Sequence, residues 1–319
     1  MQQFFEQIRQ LNNKPLMFGI YGALGCLIVN LLLAEPLNFF VYSSVRENVV
    51  SNTESILSAF VYMMAFTGVW MGIISVGISI GIMIGQNHYL HRRLMSKSEV
   101  ILAILGGFIS GLISGAIAQA IYSVISSITE SIIFVEISRI FAWGILGIMI
   151  GVGMSFIVPN LKMTKGILGG GLGGIIGCIG FIVSSFFFAD SLGRLIGMTI
   201  LGFFLGLMIA LIEQISRQAS VLVHWGPKEK TVLSLGEKAV ILGSSPDAHI
   251  YLRKDHGYPP ITGKIYQQEE KIYLEFDLAY AKQKSMKKFK QELKNGDIRR
   301  FDKLSFEIRL SNPNLQKST

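Results

Sequence analysis

An α-helical polytopic membrane bundle of about six transmembrane helices with internal repeats, followed by an all-β sandwich, is the fold class this sequence predicts, on three observations. Half of its 319 residues are apolar and only 16% are charged, with a mean hydropathy of +0.49, a balance that suits lipid contact. Glycine is unevenly placed: 28 of 34 precede Glu213 and sit inside apolar runs rather than polar loops, as close helix packing requires. Charge divides in the opposite sense. Residues 1–212 hold 10 Lys/Arg and 8 Asp/Glu against 19 and 13 in 213–319, so the net +8 splits as +2 and +6 and a domain boundary falls near Glu213.

From the beginning, Phe4, Phe5, Ile8 and Leu11 share one face of a helix opposite Gln, Glu and Arg, so residues 1–15 are expected to lie along the membrane surface. No cleavable signal peptide is expected, because this stretch is largely polar and no small-residue cleavage site follows it. Pro15 opens the first span, 16–34, in which Asn30 is a lone polar group expected to hydrogen-bond a neighbouring helix. Further spans follow at 58–85, 100–123, 139–158, 166–188 and 192–212, giving a transmembrane domain over 16–213 and a linker over 214–219. Lys and Arg concentrate on alternate loops: Arg9 and Lys14, then Arg92, Arg93 and Lys97 with Glu99, then Lys162 and Lys165, while Glu35, Arg46, Glu47 and Glu54, then Glu130 and Glu136, then Asp190 occupy the others. That alternation puts both termini in the cytoplasm.

The stretch 165–180 carries the packing argument furthest. Gly166, Gly170 and Gly174 form one row four residues apart and Gly169, Gly173 and Gly177 another, so two flat stripes run down one helix. Arg139, Gly147 and Gly151 recur in register as Arg194, Gly202 and Gly206, which makes helices two, four and six one type and one, three and five another, the pattern of a repeated helix pair. Gly107, Gly111, Gly170, Gly174, Gly202 and Gly206 are the packing positions this predicts. Arg139 and Arg194 are expected to snorkel at the outer helix ends, Glu213 to stand beside the cytoplasm, and Cys26 and Cys178 to be packing residues. His88 and His91 have metal-pair spacing without further ligands and read as a solvated loop. No metal, no cofactor and no catalytic constellation is expected, so the chain is read as a non-enzyme.

After Arg217 the period changes. Short β-branched or aromatic runs at 221–225, 231–235, 239–242, 249–252, 271–276 and 304–310 are separated by Gly226-Pro227, Gly243 to Pro246, Pro259-Pro260 and Asn295-Gly296-Asp297, the pattern of a β-sandwich over 220–311. Residues 312–319 are expected to be disordered. Lys282, Lys284, Lys287, Lys288, Lys290 and Lys294 form a basic run that reads first as a solvated edge hairpin and second, through Lys287, Lys288 and Lys290, as a contact with lipid headgroups. Nucleic acid is not an expected partner.

The string from Val240 through Gly243 and Pro246 to Leu252, followed by Ile265 and by Asn295-Gly296-Asp297 with Phe301, Leu304, Phe306 and Ile308, resembles a forkhead-associated (FHA) domain. With the preceding spans, the chain resembles bacterial multi-pass, glycine-rich membrane proteins that end in such a domain. The resemblance implies peptide recognition by loops at one end of the sandwich. It places Ser244 where the family carries a phosphate-binding Arg, and Pro259 and Thr262 where it carries Ser and His. Serine cannot replace the charged guanidinium fork, so protein binding without phosphate is expected, through Ser244, Ser245, Arg253, Lys254 and Thr262. The function read from the sequence is a scaffold or regulatory adaptor of the bacterial inner membrane, with the lipid bilayer and an unidentified cytoplasmic protein as partners and homo-oligomerisation left open. The alternative is a small-solute or ion transporter or channel regulated by its cytoplasmic domain.

Overall fold

The computed structural model describes residues 13–37, 39–40, 56–91, 95–129, 131–158, 160–188, 190–226, 229–236, 238–269, 271–286, 288–301 and 304–310. Of the surface-lying segment expected over 1–15, residues 1–12 lie outside the described residues, as do the tail expected over 312–319 and Lys287, whereas Lys14 and Pro15 are buried in the first turn of the first membrane-crossing helix rather than lying on the surface.

Among the described residues six helices are long and apolar enough to cross a membrane, and the chain is a multi-pass membrane protein. α1 covers Lys14–Val29; Asn13 caps it by accepting from the Leu16 amide at 3.4 Å and Pro15 sits in its first turn, where a missing N–H is harmless. The helix widens into a π turn at Asn30–Ala34. α2 covers Ile56–Tyr89. α3, Lys97–Ile128, starts on a capping box in which Ser96 Oγ accepts from the Glu99 amide (3.3 Å) and Glu99 Oε2 from the Ser96 amide (2.9 Å). α4, α5 and α6 cover Ile132–Ile157, Met163–Phe187 and Asp190–Ile215. All six helices begin before the spans read from hydropathy, and α2, α3 and α6 also end after them.

Each helix packs on its chain neighbours and α6 returns to α1, closing a ring. Within it the two helix types have different jobs. Ile74, Ile78 and Ile82 of α2, Leu146, Ile150 and Met154 of α4, and Leu201, Leu205 and Ile209 of α6 are buried and fill the interior. The odd-numbered helices offer glycine. On α5, Gly166, Gly170 and Gly174 lie against the carbonyls of Gly151, Gly147 and Trp143 of α4, while Gly169, Gly173 and Gly177 lie against Met208, Phe204 and Leu201 of α6. Gly22 of α1 meets Gly202 of α6, Gly25 meets Gly77 of α2, and Gly206 meets the Phe18 carbonyl. Gly107 and Gly111 of α3 meet Ser75 and Met71 of α2.

The C-terminal part is a sandwich of two sheets. β1 (Ala219–His224), β2 (Lys230–Leu235), β9 (Leu304–Leu310) and β8 (Ile298–Phe301) form one in the order β2-β1-β9-β8. The other runs β4-β3-β5-β6-β7, from β3 (Val240–Gly243), β4 (Ile250–Tyr251), β5 (Gly263–Gln268), β6 (Lys271–Phe276) and β7 (Lys290–Leu293). Alternate residues such as Val221, Val223, Leu242, Ile265, Leu274, Phe306 and Ile308 are buried between the sheets. The basic run does not form an edge hairpin: β7 and β8, either side of Gly296 at φ 84°, belong to different sheets. A short helix, α7 (Leu278–Gln283), joins β6 to β7, capped by Asp277 Oδ1 accepting from the Ala279 amide at 2.9 Å.

Candidate functional site

Three places hold polar side chains in a defined arrangement: the loop end of the sandwich, the seat of the sandwich on the bundle, and a cavity near the opposite end of the helices.

At the loop end, hydrogen bonds inside the loops take up the small polar side chains. Ser244 Oγ donates to the Tyr258 carbonyl at 2.9 Å, and the Ser244 and Ser245 amides donate to the carbonyls of Pro259 and Pro260 at 3.0 and 3.1 Å. Ser245 Oγ accepts from the Asp247 amide at 3.2 Å. Thr262 is fully buried with its hydroxyl toward the Pro259 carbonyl. Gly243 lies against the Pro260 carbonyl where a Cβ would clash, which fixes β3 to the chain entering β5. Arg253 and Lys254 are exposed, and Arg253 lies 3.5 Å from Asp255. The structure thus gathers Ser244, Ser245 and Thr262 around one backbone crossing and leaves the two cations outside it. Of the basic run, Lys288 is exposed, and Lys290 stands over the Tyr273 and Tyr266 rings at 4.2 and 5.5 Å. Its bond to Tyr266 holds the Lys290 ammonium above its ordinary pKa.

The seat is built on β2, an edge strand whose outward N–H and C=O groups need partners. Tyr89, the last residue of α2, supplies one: its hydroxyl accepts from the Val232 amide at 2.8 Å and donates to the Val232 carbonyl at 3.3 Å. Asn160, in the turn between α4 and α5, supplies the next. Its Nδ2 donates to the Ser234 and Lys238 carbonyls, both at 3.0 Å, and its Oδ1 accepts from the Lys238 amide at 3.0 Å. Asn160 has φ 57°, a conformation asparagine tolerates better than other side chains. The His88/His91 pair is not a solvated loop. His88 bonds Tyr21 of α1, while His91 stacks on Trp225 (ring centroids 4.7 Å apart) with its Nε2 2.8 Å from Glu229 Oε1. Beneath the seat Glu213 is 2% exposed, not beside solvent; Lys14 Nζ donates to it at 2.9 Å and Arg217 at 3.0 Å. Met17, Tyr21, Tyr89 and Leu90 join the apolar cluster of the sandwich, so bundle and sandwich share a core.

Away from the sandwich, a cavity of 260 Å³ opens among α2, α3, α4, α5 and α6, lined by Trp70, Gln119, Tyr122, Arg139, Trp143 and Arg194 among others. Arg139 and Arg194 do not only snorkel: both line this cavity. Glu136 Oε2 accepts from Arg139 Nη1 at 3.0 Å and Glu35 takes two bonds from Arg194 at 3.1 Å each. Such pairing is what lets a guanidinium turn toward a bundle interior. Trp70 Nε1 is buried with no hydrogen-bond partner among the described residues. Asn30 also departs from expectation: it is fully buried at the π turn and its side-chain amide has no hydrogen-bond partner among the described residues.

Compared with protein-family models, curated proteins and solved structures, the chain matches none. Among the described residues no group of three or more His, Cys, Asp or Glu side chains could hold a metal ion. The residues sequence reasoning missed are Tyr89, Asn160, Lys14 and Trp70. Only the asparagine carried a local signal, in the turn-forming Pro159-Asn160 between two apolar runs.

Proposed function

We propose that this protein is a scaffold or regulatory adaptor of the bacterial inner membrane, holding an FHA-like sandwich on the cytoplasmic side and binding a protein partner without reading phosphate. The observation that carries this reading is the loop end. A phosphate of charge about −2 needs several rigid donors at hydrogen-bond distance, whereas Ser244 Oγ donates to a carbonyl inside the loop and Thr262 is buried facing another. The seat supports an adaptor, because a sandwich fixed to the bundle at Tyr89 and Asn160 presents its loops in one orientation. The cytoplasmic placement rests on the alternating Lys/Arg loops.

Full-length protein in lipid nanodiscs, titrated calorimetrically with phosphothreonine peptides before and after phosphatase treatment, tests the reading: no phosphate-dependent binding is expected. Micromolar binding that disappears on dephosphorylation and in Arg253→Ala overturns it. A reporter joined after Ala219 should be active only in the cytoplasm. A second reading, passage of a small solute or ion controlled by the sandwich, draws on the 260 Å³ cavity with two arginines and on Trp70 Nε1, which has no partner among the described residues. Solute flux into proteoliposomes that falls in Trp70→Phe would favour it over the adaptor.

A further inference from the structure

A groove of 630 Å³ runs beside the seat, between the turn joining α4 to α5 and the edge of the sandwich. Three lysines line it, each from a different place in the chain: Lys162 in the α4–α5 turn, Lys165 in the first turn of α5, and Lys238 in the β2–β3 turn. Among the described residues Lys162 and Lys165 have no ion-pair partner. Lys238 reaches across the groove from the sandwich to the bundle, its Nζ donating to the Ser155 carbonyl near the end of α4 at 3.2 Å. Two carboxylates also line the groove. Glu213 is already held by Lys14 and Arg217, which leaves Glu269 on the β5–β6 turn against three cations. No side chain caps α5 at Lys162, so the amide end of a 25-residue helix adds its positive dipole to the lysines.

The surroundings say where an anion would come from. Phe156 and Met163 line the same groove at 66% and 51% exposure, large apolar side chains at the ends of two membrane-crossing helices. Lysines beside exposed apolar groups at the end of a transmembrane bundle suit a molecule with an anionic head and a hydrocarbon body. We propose that this groove binds the phosphate of an anionic phospholipid headgroup, which thereby bridges Lys162 and Lys165 of the bundle to Lys238 of the sandwich and tightens the seat. The site differs from the basic run: Lys288 and Lys290 are not among the groove-lining residues.

The test uses the full-length protein in nanodiscs of phosphatidylcholine alone or with phosphatidylglycerol, read by amide hydrogen exchange at Ser234, Gly236 and Lys238. The anionic lipid should slow exchange there by about a hundredfold, and each Lys→Gln substitution at 162, 165 and 238 should give back about fivefold relative to the same variant in neutral lipid. Lys288→Gln with Lys290→Gln should keep the full response. Equal slowing in the triple variant would overturn the site. Inorganic phosphate or soluble glycerophosphate that reproduces the effect in phosphatidylcholine discs would overturn the lipid as its source. Lipid retention by native mass spectrometry, lower in the triple variant than in the double one, supplies a readout that does not depend on the seat being mobile.

Discussion

Replacing Asn160 by alanine should open the seat without unfolding the sandwich. Three hydrogen bonds at 3.0 Å are lost, to the Ser234 carbonyl and to the amide and carbonyl of Lys238. Net contributions of such bonds are about 1 kcal/mol each, and water at this partly exposed site replaces part of that, leaving about 2 kcal/mol. Alanine must also hold φ 57°, a left-handed conformation that costs about 1 kcal/mol for a residue with a plain Cβ. The sum, about 3 kcal/mol, is a change of roughly 150-fold in the opening equilibrium. Amide hydrogen exchange in phosphatidylcholine nanodiscs reads it directly. The Lys238 amide should exchange about two orders of magnitude faster, while amides in the sandwich core, such as Ile265 and Leu274, should be unmoved. Asn160→Gly removes the same bonds but not the backbone tolerance, so it should fall about 1 kcal/mol short of alanine. Equal protection of Lys238 in wild type and Asn160→Ala would refute the reasoning, and so would a uniform loss of protection across the sandwich.

Gly170→Leu should destabilise the bundle by more than about 3 kcal/mol, because a side chain there meets the Gly147 carbonyl, whereas Gly153→Ala, with nothing within 4 Å of the added methyl, should be nearly silent; thermal denaturation in detergent separates them. Glu213→Ala strands the buried Lys14 and Arg217 charges and should cost about 3–5 kcal/mol by the same assay, with Glu213→Gln intermediate. On the sandwich, the Arg309 guanidinium, bonded at 3.0 Å, holds the Glu307 carboxyl below its usual range. The lowered value means a small stabilisation, present above the unfolded-state pKa and lost as pH falls through the folded one; in Arg309→Ala the Glu307 titration followed by NMR should move upward, and an unchanged midpoint would refute the assignment.

Periodic features were the legible ones in the sequence. The four-residue glycine rows, the recurrence of Arg139-Gly147-Gly151 as Arg194-Gly202-Gly206, and the switch to period two after Arg217 are each local patterns. Each has a counterpart in the ring of helices and the two sheets. Features that depend on distant pieces meeting stayed hidden. Nothing around Arg194 says that Glu35, 159 positions away, pairs with it. Tyr89, past the end of the expected span 58–85, carried no signal because the strand it bonds lies 143 residues later. The lysine-rich run attracted the lipid reading because its cations are adjacent in sequence, while the groove assembles Lys162, Lys165 and Lys238 from separate turns. Asn30 failed in the other direction: a buried amide usually finds a partner, and the π turn leaves this one without any among the described residues.

Ring closure has a consequence for the order in which the chain can be made. α1 emerges first, yet one of its two neighbours is α6, the last helix of the ring to be synthesised, so Gly22 and Phe18 wait in the bilayer for Gly202 and Gly206. The ion cluster keeps the same schedule, since Lys14 opens α1 while Glu213 lies in the last turn of α6 and Arg217 just past its end. β1 begins at Ala219, only a few residues further on. A ribosome therefore delivers the strand whose partner must settle on Tyr89 and Asn160 just as the ring becomes able to shut. Because the longest-range contacts are the last to form, a chain arrested before α6 would keep both α1 and α5 open on one side, an unclosed ring of five helices with the glycines that face α6 left bare.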